Sequence, residues 1–208
     1  MAHEKITYYR SEKEITYIHC ENCNRSYPKH THAEHVVAGV VLQGSVCIIC
    51  SGQRRTCGAG EWFYIEQDTP HAIEPVEDRT YSIVSMCIPV ISSEKRQEDI
   101  DAIQLKQLIL GTPQLPFSIK DMADSIALSP YHMIRKFRDA CGLTPHQFQI
   151  QCRVRKAQKL LEEGYSVIEA AYAAGFCDQS HFDRCFHRIV RMTPGEYKKA
   201  VKVFSFPM

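Results

Sequence analysis

The sequence of 208 residues lacks three features that would each place a protein in a special class. No apolar run approaches the roughly 18–20 residues that a membrane-spanning helix needs, so no membrane partner is expected. The first 20 residues lack the apolar core of a secretory signal peptide, which predicts a cytoplasmic protein. The chain also lacks a strong excess of either charge, because its net charge is only +1.

The small net charge hides an uneven distribution along the chain. Residues 1–116 carry 11 Lys and Arg against 15 Asp and Glu, which gives a net charge of −4. Residues 117–208 carry 14 against 9, which gives +5. An acidic first part and a basic second part indicate two domains, and a polyanion is one candidate partner of the second.

The ten cysteines would be typical of a disulfide scaffold in a small secreted protein. Without a secretion signal, the sequence predicts reduced thiols instead. Such thiols serve as small buried apolar residues, as metal ligands or as redox groups. Four of them lie in the second part of the chain and are predicted to be packing residues: Cys141, Cys152, Cys177 and Cys185.

The first part of the chain has the pattern of a β-rich domain. Residues 36–92 contain short runs rich in Val, Ile, Tyr and Cys that Gly and Pro interrupt, which is typical of strands. Isoleucines at helical spacing then predict a helix near residues 97–110, and two prolines end it. The sequence therefore predicts a β domain over residues 1–93 and a linker with a helix over residues 94–116.

Residues 117–202 contain one pattern twice, with an offset of 48 to 49 residues. Each copy opens with Ser-x-x-acid, at Ser118 and Ser166, where the serine oxygen can accept a backbone N–H at a helix start. Each copy closes with Thr-Pro, at Thr144–Pro145 and Thr193–Pro194. The pattern of each copy predicts a helix, a tight turn and a second helix, and the segment between the copies predicts a connecting helix.

The second helix of each copy has an apolar face and an outward face. Met133 with Phe137, and Phe182 with Phe186, lie four residues apart and are predicted to pack inward. The outward side chains are suited to base edges in a major groove. They are Tyr131, Ile134, Arg135 and Arg138 in the first copy, and Gln179, Ser180, His181 and Arg184 in the second. An ordinary helix pair with a solvated charged face would explain one copy, but two copies in register favour a DNA-binding domain.

Residues 118–148 and 166–197 closely resemble the AraC/XylS family of bacterial transcription regulators. The features that carry the resemblance include Gly175–Phe176, the aromatic pair of the second copy and both Thr-Pro ends. The resemblance implies two helix-turn-helix units on one polypeptide, whose recognition helices enter neighbouring major-groove segments about 34 Å apart. It also implies RNA polymerase as a partner if the protein is an activator.

Carried over by position, the resemblance implies base contacts for the following residues of the two recognition helices: Tyr131, Ile134 and Arg135 in the first, and Gln179, Ser180, His181 and Arg184 in the second. It assigns phosphate contacts, which position the protein without reading sequence, to Lys136, Arg138, Arg188 and Arg191. Asp183 departs from this pattern, because phosphate would repel its carboxylate. Pairing with Arg184 or Arg188, or acceptance of a hydrogen bond from cytosine N4, are the alternatives for this residue.

Residues 27–75 resemble a cupin, a small double-sheet β-barrel that is the usual sensor domain in the AraC-type family. In metal-binding cupins, two histidines of an H-x-H pair, a downstream Glu and a later His hold the metal. The histidines by position are His30, His32 and His71. Alternation places the first two on the same side of a strand. The Glu position falls on Val36 or Val37, so one expected ligand is missing.

Cys20 and Cys23 form a Cys-x-x-Cys pair just before these histidines, and such pairs commonly bind soft metals. Thiolate and imidazole ligands together favour a transition metal such as zinc. The alternatives are a redox dithiol, inert thiols, or a sensor that binds an organic small molecule without metal.

The sequence thus predicts a multidomain α+β fold, with a cupin-like β-barrel followed by an all-α domain with two helix-turn-helix units joined by a linker helix. The predicted function is a ligand-responsive, sequence-specific DNA-binding transcription regulator. The helix near residues 97–110 is the predicted coupling element and would also allow a homodimer. The alternatives are a metal-dependent cupin enzyme with an appended helical domain and a metal-storage or redox module. No paired acid and base and no nucleophile triad lies beside the histidines, so no enzyme is expected.

Overall fold

A computed structural model of the chain describes residues 4–11, 14–32, 34–90 and 100–204. The chain forms two compact units. The first unit contains residues 1–92 together with 196–208, and the second contains residues 93–195.

The described residues of the first unit form two β-sheets. The strands are β1 Lys5–Ser11, β2 Thr16–Cys23, β3 Tyr27–His30, β4 His35–Gln43, β5 Ser45–Cys50, β6 Gln53–Gly58, β7 Trp62–Ile65, β8 His71–Pro75, β9 Tyr81–Pro89 and β10 Val201–Phe204. The six-stranded sheet has the order β10-β1-β2-β9-β4-β7, and the four-stranded sheet has the order β3-β8-β5-β6.

Alternating side chains of the strands build the core of this unit. Val37 and Val41 of β4, and Ile83 and Cys87 of β9, are buried on one face of the six-stranded sheet. The alternate residues Ala38, Val40, Val84 and Met86 are only half-buried, as expected for a sheet that buries one face. The Val- and Ile-rich runs in residues 36–92 are therefore strands, as predicted.

The strand β10 joins the six-stranded sheet from the other end of the chain. It runs parallel to β1, with Tyr8 opposite Val201 and Ser11 opposite Phe204. The ring of Tyr8 lies 4.9 Å from that of Tyr197, just before β10. Because parallel pairing needs a long connection, no local pattern at either end predicts it.

The second unit is helical. The helices of the chain are α1 Ile100–Gly111, α2 Ile119–Asp124, α3 Pro130–Cys141, α4 Pro145–Glu162, α5 Val167–Ala173, α6 Gln179–Val190 and α7 Pro194–Ala200, the last of which crosses into the first unit. The helix pairs α2–α3 and α5–α6 are the two predicted repeats. Among the described residues, no helix combines the length and the apolar character that crossing a membrane requires.

Side-chain caps fix the starts of these helices at the predicted positions. The side-chain oxygens of five N-cap residues accept a backbone N–H two or three residues into the helix. The capping residues are Ser118, Ser129, Thr144, Ser166 and Asp178. At the starts of α4 and α5 the third helical residue, Gln147 or Glu169, also accepts from the N-cap N–H and completes a capping box.

The predicted inward pairs form the core of the helical unit. The ring of Phe137 lies 5.6 Å from that of Phe148 on α4, and the ring of Phe182 lies 5.4 Å from that of Phe186. All four side chains are essentially fully buried. Aromatic residues of this size dominate the packing energy of a small core. They therefore hold each recognition helix against α4 or against the first helix of its own repeat.

The helix α1 belongs to this core, whereas the sequence predicted it as part of a linker. Its residues Ala102, Leu105 and Ile109 are buried, and the helix packs on α3 and α4. The predicted helix began at residue 97, and residues 97–99 lie outside the described residues.

The segment after α1 is fastened to α4 by polar side chains. Gln149 and Arg153 donate hydrogen bonds to the carbonyl oxygens of Pro113 and Leu115, over distances of 2.7–3.1 Å. These bonds satisfy backbone groups that regular secondary structure leaves unpaired. Gly175, in the turn before α6, packs against the backbone of the same segment.

Replacing Gly175 with Ala is expected to destabilise the helical unit by at least about 2 kcal/mol. Its φ of +91° strains any other residue, and an added Cβ would lie 2.5 Å from the carbonyl oxygen of Gln114. Gly164→Ala is the matched control, since Gly164 has a φ of +99° but open space around it. Urea unfolding followed by far-ultraviolet circular dichroism should show a clearly larger loss for Gly175→Ala. Equal losses would mean that the close contact has no energetic role.

Candidate functional site

The outward face of α3 presents the side chains that the sequence predicted. Tyr131 is 71% exposed, and Arg135 and Arg138 are also exposed, whereas Ile134 is half-buried. The opposite face carries Met133 and the buried phenylalanine of the aromatic core. The helix is therefore fixed through one face and offers the other to a partner.

The outward face of α6 is similar, with one difference. Gln179, Ser180, Arg184 and Arg188 are exposed. His181 is half-buried instead, and its ring lies edge-on to Phe176 at 5.5 Å. Its imidazole therefore has less freedom to reach a base than its neighbours have.

Lys136 and Asp183 lie in environments that the sequence did not reveal. Lys136 forms a salt bridge with Asp101 of α1, so its ammonium group is paired within the helical unit. One carboxylate oxygen of Asp183 is buried and has no hydrogen-bond partner among the described residues. Within those residues no salt bridge joins Asp183 to Arg184 or Arg188.

A second candidate site lies in the β unit, where three histidines converge. His30 ends β3, His32 follows it, and His71 begins β8 opposite His30. Their ring centroids are 4.3–5.2 Å apart, and one nitrogen of each ring lies within 4.8 Å of the others. The predicted H-x-H pair and the later histidine are thus brought together by the pairing of β3 with β8.

Backbone carbonyl oxygens orient two of the three rings. Nδ1 of His30 lies 2.8 Å from the carbonyl oxygen of Pro28, and Nδ1 of His71 lies 2.9 Å from that of Thr69. A carbonyl oxygen only accepts, so each of these Nδ1 atoms carries the proton. This is the arrangement that metal-binding histidines use.

No carboxylate joins this cluster within the described residues. Val37 stands at the expected Glu position and belongs to the core, and the neighbouring Glu34 is exposed. Three imidazoles fit a transition metal with an open coordination position, since catalytic and sensor zinc sites use three protein ligands. The sequence missed one neighbour, Cys87 on β9, whose sulfur lies 3.9 Å from Nδ1 of His32.

Cys20 and Cys23 are not among the clustered ligands. A β-bulge lies between them, because three steps along β2 match two along β9, where Cys20 faces Ile83 and Cys23 faces Tyr81. Asn22 takes the positive φ of 51° that the bulge needs. Both thiols therefore point into the core, where they are almost fully buried.

The Cys23 thiol donates a hydrogen bond to the carbonyl oxygen of Glu21, over 3.7 Å. Hydrogen bonding by Cys23 to the charged form of Cys20 lowers the pKa of Cys20, while the same interaction, together with burial, raises the pKa of Cys23. The hydroxyl of Tyr27 lies 3.7 Å from the Cys20 sulfur and lowers its pKa further. Cys20 is thus the more acidic thiol of the pair.

The outer face of the six-stranded sheet carries a pocket that the sequence did not indicate. Its volume is about 380 Å³, and its lining includes Tyr9, Tyr17, His19 and Val84. Volumes of this size suit small organic molecules. Local alternation marks these side chains as outward, but only the pairing of β1, β2 and β9 places them together.

A β-rich domain followed by two capped helix-turn-helix units defines a two-domain regulator architecture. A family described as a helix-turn-helix domain matches residues 122–200, and one described as an AraC-like ligand binding domain matches residues 13–121, more than half of the chain. The chain therefore belongs to the AraC family of transcription regulators, with an AraC-like ligand-binding domain and an AraC-type helix-turn-helix domain.

Curated relatives match mainly in the helical part. The chain is 32% identical over 96 residues to the HTH-type transcriptional regulator MtrA of Neisseria gonorrhoeae, which is 46% of this chain and 32% of that protein. It is 39% identical over 64 residues to the uncharacterized HTH-type transcriptional regulator YbfI of Bacillus subtilis, which is 31% of this chain and 23% of that protein. The chain thus spans about a quarter to a third of the length of these relatives.

Solved structures with the same fold include ToxT of Vibrio cholerae. An apo variant of ToxT superposes with a TM-score of 0.66 at 11% identity, over 93% of this chain and 100% of that one. ToxT bound to an unsaturated fatty acid gives 0.62 at 10% identity, over 96% and 98%. At these identities the likeness concerns the fold alone, which confirms a β-rich domain followed by a helical domain.

Proposed function

We propose that the chain is a ligand-responsive, sequence-specific DNA-binding regulator that acts on promoter DNA in the cytoplasm. The observation that carries this proposal is the presence of two recognition helices, α3 and α6, which are both 12 residues long, each begin at a side-chain N-cap and each bury a phenylalanine, Phe137 or Phe186. Each presents an outward face with at least two exposed arginines. The relatives that match the chain are regulators, which favours this role over an enzyme.

The exposed side chains of α3 and α6 suggest which residues would contact bases and which would contact phosphates. Arg135 and Arg184 suit guanine, Gln179 suits adenine, and Ile134 suits a thymine methyl group. Arg138 and Arg188 suit phosphate, which fixes the register on the duplex without reading bases. Tyr131 and Ser180 would add contacts at the edges of these faces.

The effector would be sensed in the β unit, and we propose a late transition metal at His30, His32 and His71. The three Nε2 atoms would hold the ion, which would then supply a charged cross-link between β3 and β8. The donor set supports zinc or a similar metal. Cys20 and Cys23 are buried and lie outside the group formed by the three histidines.

An organic effector is the second candidate, and the outer pocket of the β unit favours it. The pocket is lined by Tyr9, Tyr17, Ile18 and Val84 together with Arg10, Ser11 and His19. One structural neighbour, ToxT, has been solved with an unsaturated fatty acid bound. A molecule with an apolar body would suit the tyrosine walls of this pocket.

Any effector can act only if it favours one arrangement of the chain over another. The helix α1 is the proposed coupling element, and its contacts support that role. It packs on α3 and α4, and Asp101 of α1 is bonded to Lys136 of the recognition helix α3. A shift of α1 would therefore change the position of α3, the first proposed recognition helix.

A second copy of the chain and, for an activator, RNA polymerase are the remaining proposed partners. The buried residues of α1 are used within its own unit, so a dimer needs another surface. The outer face of the six-stranded sheet offers Trp62, Tyr64 and Leu42, of which Trp62 is 64% exposed. Aromatic side chains of about 150–250 Å² each supply much of the roughly 800 Å² per partner that a stable interface buries.

Arg184→Ala is expected to weaken binding to the preferred DNA site by about 1–3 kcal/mol, while binding to random DNA changes little. The reason is the loss of a bidentate contact to one base. The preferred site would first be selected from random duplexes, and affinities measured at fixed salt by fluorescence anisotropy. Arg79→Ala, which removes an exposed charge from the β unit, is the control. Equal losses on preferred and random DNA would show that Arg184 touches only phosphate.

His30→Ala combined with His32→Ala is expected to remove bound metal, because a single imidazole would remain. Elemental analysis of protein purified without an affinity tag measures the metal content. His146→Ala, which removes an exposed histidine of α4, should leave the content unchanged. Unaltered metal in the double variant would exclude the histidine site and leave the organic effector.

Trp62→Glu is expected to convert a dimer into a monomer, since it puts a charge into the apolar sheet face. Size-exclusion chromatography with light scattering gives the mass. Tyr172→Glu, a matched change of an exposed aromatic residue on α5, should leave the dimer intact. A wild-type chain that stays monomeric at high concentration would refute the dimer itself.

A further inference from the structure

We propose that two copies of the chain pair through the outer face of the six-stranded sheet, and that Trp62 of each copy fills the outer pocket of the other. This pocket is the one that Tyr9, Tyr17, His19 and Val84 line on β1, β2 and β9. The partner subunit thus contributes a residue to the candidate effector site. The inference rests on the dimer proposed above and gives it a particular geometry.

Two rows of side chains cross this face from β1 to β7. Residues opposite each other on neighbouring strands point to the same face of a sheet, so the strand register defines both rows. One row consists of Tyr9, Tyr17, Met86, Ala38 and Tyr64, and the other of Thr7, His19, Val84, Val40 and Trp62. None of these ten residues is Asp, Glu, Lys or Arg. Burial of the rows therefore removes no carboxylate, ammonium or guanidinium group from water.

The relief of the face changes along the rows. Trp62 and Tyr64 lie on β7, the last strand in the order of the sheet, and are 64% and 61% exposed. The middle of the face carries smaller, half-buried residues such as Ala38 and Val40. The other end carries the pocket, with a volume of about 380 Å³. One face therefore has a protruding indole at one end and a recess at the other.

A two-fold axis parallel to the strands matches these two ends. Neighbouring strands are about 4.8 Å apart, so β7 lies roughly 14 Å from β2. An axis between β9 and β4 places β7 of each copy over β2 of the other, at the same level along the strands. Trp62 of the partner subunit then meets the row that contains His19 and Val84. Each contact is made twice and the assembly closes as a dimer, whereas a one-sided insertion would continue into a filament.

The size and the polar groups of the face suit such a pairing. Five strands about 4.8 Å apart and six residues along β4 give a face of roughly 24 by 20 Å. With the relief of its side chains, a face of this size approaches the roughly 800 Å² per partner of a stable interface. A buried indole N–H needs an acceptor, and the Tyr17 hydroxyl and the His19 imidazole at the pocket can supply one.

The pairing makes the second copy and an organic effector alternatives. A pocket filled by the indole of Trp62 has no room for another molecule, so an effector bound there would release the partner subunit. Effector affinity and dimer affinity would thus oppose each other, as linkage requires.

Dilution of the full chain, followed by tryptophan fluorescence and light scattering, tests the inference. Trp62 is the single tryptophan of the chain, so the emission reports on this residue alone. The emission should lie at short wavelength in the dimer and resist quenching by acrylamide, and it should shift to longer wavelength as the mass falls to that of a monomer. A chain that stays monomeric would refute both the dimer and this inference. A dimer whose dissociation leaves the emission unchanged would refute this inference alone.

Two variants that each remove one half of the contact provide a second test. Trp62→Ala deletes the indole, and Val84→Phe fills the pocket from within while keeping an apolar side chain on the outer face. Each variant alone should weaken the dimer about 30-fold or more for each aromatic anchor lost. Tyr172→Ala, which removes a similarly exposed aromatic residue of α5, should dimerise like wild type.

An equimolar mixture of the two variants distinguishes insertion from a general loss of apolar surface. The Val84→Phe copy still offers Trp62, and the Trp62→Ala copy still offers an open pocket, so the mixture should dimerise more tightly than either variant alone. A mixture no tighter than its components would overturn the insertion. Circular dichroism checks that both variants fold, and the dilution of wild type stands as a test whichever variant fails to fold.

Discussion

Burial of one face of each recognition helix is the constraint on which the helical unit depends. Phe182 and Phe186 on α6, and Met133 and Phe137 on α3, have no significant exposure. Their burial fixes the rotation of each helix about its own axis, and that rotation decides which side chains face outward. Arg135 and Arg184 are therefore exposed because aromatic and apolar residues on the other side of the same helices are not.

The helix α4 connects the two helix-turn-helix repeats, α2–α3 and α5–α6. Its capping box sets its start after the first Thr-Pro, and its buried residues Phe148, Val154 and Leu161 run along its length. Polar side chains of the same helix hold the segment after α1 in place. A displacement of α1 would thus act, through α4, on both recognition helices. The ligand-dependent regulation proposed above requires such a connection.

The β unit solves a different problem, which is to bring three imidazoles together. The pairing of β3 with β8 sets His30 against His71, and carbonyl oxygens fix their tautomers. Cys20 and Cys23, on either side of the bulge in β2, are buried apart from the group formed by the three histidines. Two groups of soft ligands that are adjacent in sequence are therefore separated by the sheet.

The sequence by itself determined every feature that rests on local physics. The caps at Ser118 and Ser166 and the inward pairs at four-residue spacing all follow from neighbours in the chain, and the structure has them where they were expected. Only the tertiary structure decided the packing of α1, the pairing of β10 with β1, the pairing of Lys136 with Asp101 and the approach of Cys87 to His32. Each of these joins residues far apart in sequence, and helical or strand periodicity carries no information about which distant surface a side chain will meet.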